Sequence, residues 1–117
     1  MDDIIPTSAD RVRHISEACK KILDFCKDIS EQEFIEDTML NSAVLYQFII
    51  IGEAIRYVDT EVRKKYPYQW HLPRSFRNYA AHDYFGINLK QVYKTAKELL
   101  PDFKVLIDKI LIENYIN

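Results

Sequence analysis

Apolar residues recur along this chain at steps of three and four. Val12, Ile15, Cys19, Ile22, Cys26 and Ile29 form the first such series. That spacing places all of them on one face of a helix, and predicts a helix from about Ala9 to Asp28. Thr7 or Ser8 can cap it by accepting a hydrogen bond from a free N–H of the first turn. Ser30-Glu-Gln-Glu33 is a capping-box pattern that opens a short second helical segment. A longer helix is predicted from about Asp37 to Val58, with Leu40, Val44, Phe48, Ile51, Ile55 and Val58 as its stripe. A second stripe, Ala43, Ile50, Ala54 and Tyr57, lies beside the first. A helix apolar over so much of its circumference sits centrally in a bundle or faces another subunit. Gly52 in its interior costs about 1 kcal/mol against alanine, and close helix packing is the plain reason to keep it.

The second half is punctuated by prolines and a glycine. Residues 61–67, EVRKKYP, read as a helical turn ended by Pro67, and residues 68–73, YQWHLP, as a connector. Pro73 suits the start of the next helix. Gly86 breaks the chain again. Asn88 can cap a last long helix carrying Val92, Ala96, Leu99, Phe103, Leu106 and Ile110, and Pro101 should kink or restart it. No repeat, low-complexity tract or linker interrupts the pattern. The expected architecture is all-α: one domain over residues 1–117, an antiparallel bundle of four to five helices.

Composition narrows the function classes. With 117 residues the chain fits one domain. Two glycines leave little room for sandwiches, barrels or glycine-rich phosphate loops. A formal charge of −2 provides no global basic field for a nucleic acid, so binding of that kind needs a local patch. The acidic N-terminal segment MDDIIPTSAD lacks the features of a signal peptide. No window reaches ~18 uninterrupted apolar residues. The expectation is a cytoplasmic protein without a membrane partner. Cys19 and Cys26 stand two turns apart on one helix and cannot pair within it; they read as small buried hydrophobes. No Cys/His spacing suits zinc, and no cofactor is expected.

The candidate chemistry lies in RNYAAHDY, residues 77–84. On a helix, Phe76, Tyr79 and Ala80 share the core face. Arg77 and His82 stand about 140° apart, with Asn78 and Ala81 between them, and Tyr84 returns to within about 20° of Arg77. Asn78 and His82, four apart, stack on one side. This polar strip is incomplete on a single chain. Its residue types suit phosphodiester work. Arginine offers a permanently charged fork to a phosphate and to the charge of its transition state. Histidine can act as general acid or base near neutrality. RNA supplies its own nucleophile in the 2′-hydroxyl. Both Arg77 and His82 fall off the predicted core face. Glu53, on the largely apolar helix, can pair with Arg77 or locally with Arg56. Further positive charge is available from Arg74, Lys90, Lys94 and Arg63-Lys64-Lys65, while Asp83 would repel RNA. His14 reads as solvated. His71, Tyr66, Tyr68 and Trp70 read as parts that build or anchor the connector.

The Arg-x-x-x-x-His-x-Tyr pattern, with a polar residue after the arginine, resembles the signature of the HEPN superfamily and its HepT toxin branch. The likeness extends through RVRHISEACKKILDF, through AVLYQFIIIGEAIRYV with its Ile-Gly-Glu-Ala element, through the segment from Tyr66-Pro67 by way of Trp70 to the motif, and through LLPDF. The resemblance implies a helical homodimer in which two Arg–His strips meet in one composite cleft. It implies a metal-independent ribonuclease acting as the toxin of a type VII HepT/MntA-like toxin–antitoxin system. Its partner would be a minimal nucleotidyltransferase antitoxin, similar to MntA, that transfers AMP from ATP to the motif tyrosine. Residue by residue, Arg77 would stabilise the phosphate, His82 would be the acid/base, Asn78 would be the polar support, and Tyr84 would accept AMP; Glu53 joins them as a support only through the pairing with Arg77 open to it. Two other readings use the same residues: a non-catalytic helical module that binds, regulates or is modified by a nucleotidyltransferase, and a bundle that binds nucleotide phosphate at Arg77 without cleaving it.

Overall fold

A computed structural model describes residues 5–82 and 86–115, His82 through its backbone alone. The described residues are helical with no strand. In chain order they form α1 (Ser8–Cys26), α2 (Glu31–Glu36), α3 (Thr38–Ile55), α4 (Thr60–Lys64), α5 (His71–His82), α6 (Leu89–Lys94) and α7 (Leu100–Tyr115). The four long pieces, α1, α3, α5 and the α6–α7 rod, make the expected all-α bundle; α2 and α4 are short connectors.

Local chemistry fixes the helix ends. Thr7 and Asp10 form a reciprocal capping box at α1, Thr7 Oγ1 accepting from the Asp10 N–H at 3.1 Å and Asp10 from the Thr7 N–H at 2.9 Å. Ser30 and Glu33 do the same at α2. Helix α1 ends at Cys26, two residues before the expected Asp28, because Asp28 takes a left-handed φ of 58°, a conformation that Asp tolerates better than most residues. Asp37 closes α2 and caps α3. Helix α3 ends at Ile55 rather than Val58, since Tyr57 and Val58 donate to carbonyls three residues back and tighten the last turn. Helix α5 starts at His71, earlier than Pro73. Proline is tolerated there because first-turn N–H groups have no helical partner. His71, Leu72 and Pro73 are thus helical rather than connector.

Pro101 does perturb the last helix. Residues Thr95–Leu99 form a π turn that leads directly into α7. Proline lacks an N–H and clashes with the carbonyl four residues back; the wider turn absorbs the misfit without breaking the rod.

The core is built by α1, α3 and the α6–α7 rod. Val12, Ile15, Cys19, Ile22 and Cys26, the stripe expected from the spacing, are all buried with Val44, Ile51, Ile55, Val92, Ala96, Ile107 and Ile110. Burial pushes the Cys19 thiol up to about 12 and the Cys26 thiol upward as well, so both behave as hydrophobes. Ser16 donates to Asp108 at 2.5 Å and Lys104 to the same carboxylate at 2.6 Å, tying α1 to α7. Asn41 is buried and donates to the carbonyls of Phe34 and Ile35, joining α3 to α2.

Helix α3 touches α1 on one side and α5 on the other. Its length and mean hydropathy of 1.4 over 18 residues would let it cross a membrane by composition alone, yet 44% of it is buried inside this bundle. Its outward side carries Met39 and Tyr46, at 86% and 62% exposure, with Ala43 and Ile50 half-buried beside them, and Tyr57 just past its end is 53% exposed. Ala54 of the second stripe turns into the core. Helix α3 therefore serves as a central helix and still presents an uncovered apolar stripe.

Candidate active site

Helix α5 carries the polar strip, and α3 seats it. Phe76 packs on Phe48 of α3 with ring centroids 4.6 Å apart, and Ala80 is buried. One turn from Phe48, Gly52 faces the stem of Arg77. A Cβ built on Gly52 would lie 2.2 Å from Arg77 Cβ and 2.8 Å from the Pro73 carbonyl oxygen. No side chain fits there, so the glycine sets the closeness of α3 and α5, as its place in an apolar helix suggested.

The next residue completes the seat. Glu53 Oε1 forms an ion pair with Arg77 Nε, and Glu53 Oε2 lies 3.9 Å from Arg56 Nη1. The Arg77 contact is an ion pair without an aligned hydrogen bond: the buried Nε has no acceptor along its N–H. Arg77 Nη1 donates to Asn78 Oδ1 at 3.3 Å. Both alternatives for Glu53 are thus realised together, with Arg77 the closer partner. Arg77 itself corrects an expectation. Its side chain is only 28% exposed, because its stem packs over Gly52 instead of standing free of the core face. The guanidinium has five donors. Asn78 takes one and Nε faces Glu53, which leaves the remaining Nη hydrogens for a ligand.

His82 is the last residue of α5, five residues on from Arg77. On an α-helix that is about 140° of rotation and ~7.5 Å of rise. Asp83 and Tyr84 lie outside the described residues, and so does the expected alignment of Tyr84 beside Arg77. Tyr79 ties the chain on either side of that stretch. Its hydroxyl accepts from the Asn88 N–H at 2.6 Å and donates to the Gly86 carbonyl at 3.5 Å. Sequence reasoning assigned Tyr79 only to the core face; its i+9 partner carries no periodic signal.

The connector residues have the building roles expected of them. Trp70 Nε1 donates to the Arg63 carbonyl at 3.0 Å, and its ring meets Tyr68 and Phe103. The Tyr66 hydroxyl donates to Glu113 at 2.8 Å. Among the described residues no three His, Cys, Asp or Glu side chains gather as a metal site would.

A family model described as Ribonuclease HepT-like matches residues 15–110. The chain belongs to the HepT-like ribonuclease family. The matched span includes both halves of the seat, Gly52-Glu53 and Arg77-Asn78. Among its relatives is the MJ1380 protein of Methanocaldococcus jannaschii, 38% identical over 91 residues, or 77% of this chain and 84% of that one. The MJ1216 protein of the same organism is 33% identical over 83% of this chain and 81% of its own length. A HepT-named protein of Thermococcus cleftensis is 29% identical over 86% of this chain and 93% of its own. All three carry names that provisionally assign a ribonuclease activity. No solved structure matches the chain.

Proposed function

We propose that this HepT-like chain is the toxin of a type VII toxin–antitoxin pair: a cytoplasmic, metal-independent endoribonuclease that works as a homodimer and is silenced by AMP transfer to Tyr84. The observation that carries the reading is the seat of Arg77. A glycine makes room for its stem, Glu53 faces its Nε, Asn78 holds one Nη, and the remaining donors are free for a phosphate. A merely solvated arginine has no need of such a seat.

The chemistry follows from these groups. The 2′-hydroxyl of RNA attacks the neighbouring phosphorus and gives its proton to a histidine. The P–O5′ bond breaks, and the departing oxygen takes a proton from a second acid. Arg77 meets the negative charge that builds on the phosphoryl oxygens. One chain offers one motif histidine; a two-fold dimer offers His82 twice, one as base and one as acid. The uncovered stripe of Met39, Ala43, Tyr46 and Ile50 on α3 supports such a dimer, since it flanks Glu53 and an isologous interface repeats one patch on both subunits. AMP on Tyr84 would bring a phosphodiester anion to compete for Arg77 and a base to fill the cleft.

Expression with and without a cognate nucleotidyltransferase tests the reading. The protein alone should arrest growth, and His82→Ala should relieve the arrest. Incubation with the nucleotidyltransferase and ATP should add AMP at Tyr84, located by peptide mass. A folded His82→Ala protein that still arrests growth points instead to the non-catalytic interaction module. AMP on another residue removes the Tyr84 switch.

A further inference from the structure

A second basic feature lies beside the Arg77 seat. The end of α3, helix α4 and the start of α5 enclose a pocket of about 420 Å³ lined by Ile55, Arg56, Arg63, Trp70, His71 and Arg74. Its size falls in the range of small-ligand sites. Three arginines and a histidine are among its six lining residues, and no acidic residue lines it. Among the described residues Arg63 and Arg74 form no ion pair, and Arg56 has only Glu53, at 3.9 Å and shared with Arg77. The Nε of Arg63 is buried and has no acceptor; its Nη2 reaches only Thr60 Oγ1, at 3.4 Å. The first turn of α5 carries no acid to offset these charges. Like charges lining one pocket repel, and an anion between them would relieve that repulsion. Planar arginine forks match the paired oxygens of phosphates and carboxylates, and the phosphate proposed at Arg77 next door makes a phosphate the fitting anion here.

The pocket continues the polar strip. Arg74 precedes Arg77 by three residues on α5, about 60° around the helix and ~4.5 Å along it. Arg56 shares Glu53 with Arg77. We propose that the pocket of Arg56, Arg63, His71 and Arg74 holds the backbone phosphate of an RNA strand adjacent to the phosphate at Arg77 and His82. The inference rests on the ribonuclease reading and extends it: the grip on substrate that the acidic composition of the chain lacks is concentrated here. A phosphate contact of this kind supplies affinity and register rather than sequence choice.

The test uses the full-length protein and a short single-stranded RNA that is 2′-O-methylated throughout, which binds but offers no nucleophile. The double variant Arg63→Gln/Arg74→Gln should bind it at least tenfold more weakly. The slope of log affinity against log salt should flatten by about 0.7, the value for one single-strand phosphate. With unmodified RNA the loss should appear in KM rather than kcat. Arg74→Gln alone, at an exposed position, carries the test should Arg63→Gln unsettle α4. Unchanged RNA affinity with cleavage intact overturns the pocket and leaves the ribonuclease reading standing. Weakened binding in a protein that cleaves nothing supports the pocket and removes that reading. Inorganic phosphate or AMP that binds natively and is lost from the double variant, with RNA affinity unchanged, overturns the RNA assignment in favour of a free anion.

Discussion

Helix α3 meets its two neighbours by different means. Toward α1 it belongs to an aliphatic core in which Val12, Ile15, Cys19 and Ile22 are sealed from water. Toward α5 the contact runs from the Phe48–Phe76 stack to a glycine under an arginine stem and then to an ion pair. The first contact is non-directional and tolerant of exchange among similar volumes. The second depends on one missing side chain and one carboxylate. The aliphatic core lies on the first side and the proposed site on the second, and the same helix faces both because its polar and small residues occupy a separate sector.

Substitution on each side should separate the two roles. Ile22→Ala should lower unfolding free energy by about 2–5 kcal/mol, measured by denaturant melts, while the folded fraction keeps its turnover number. Gly52→Ala should act the other way round. In an open helix it would add about 1 kcal/mol of stability. Here the new Cβ meets Arg77 and the Pro73 carbonyl, so the expected result is a loss of about 1–3 kcal/mol from overpacking, with activity falling far more than the folded fraction does. A Gly52→Ala protein that is both more stable and fully active would show that the two sides do not differ in kind.

Acid sharpens the same contrast by a smaller effect. The Thr7 backbone and hydroxyl hydrogen bonds hold the Asp10 carboxyl below its ordinary 3.8, and Ser30 holds Glu33 below 4.5 in the same way. Burial pushes Asp108 up, but Lys104 and Ser16 together outweigh it and the net shift is downward. A depressed carboxylate contributes stability above its unfolded pKa and loses it as pH falls through the folded value. The melting temperature should therefore be insensitive to these groups from pH 7 to 5 and drop below about pH 4. Asp108→Asn should make that acid limb shallower. All three groups belong to α1, α2 and α7, so this acid limb reports on the scaffold side.

The two sides also differed in how far they could be read from sequence. The three-and-four spacing of Val12 to Cys26, the caps at Thr7, Ser30 and Asn88, and the prolines are local signals, and they placed the helices to within a few residues. The misses were local too: a left-handed Asp28, a tightened α3 end, and a proline inside a first turn. At the candidate site, the contacts of Arg77 with Asn78 and Glu53 were legible from helix spacing and residue type. The partial burial of Arg77 was not, since it depends on Gly52, 25 residues earlier in the chain, lying beneath its stem. The Arg56–Arg63–His71–Arg74 pocket had no motif at all. Its members come from three elements, and Arg63 had been grouped with Lys64 and Lys65, which do not line it.

The central claim is that Arg77 and His82 cleave RNA through its own 2′-hydroxyl. The direct measurement is cleavage of a defined single-stranded RNA by the purified protein in excess chelator, with product ends identified by mass. The account predicts fragments ending in a 2′,3′-cyclic phosphate, and no cut where a single 2′-deoxy nucleotide replaces the scissile one. It predicts a fall of about 10²–10⁴-fold in rate for His82→Ala, with its melting temperature within a few degrees of the native protein's. Cleavage by His82→Ala at the native rate, or cleavage that persists at the 2′-deoxy position, would contradict it.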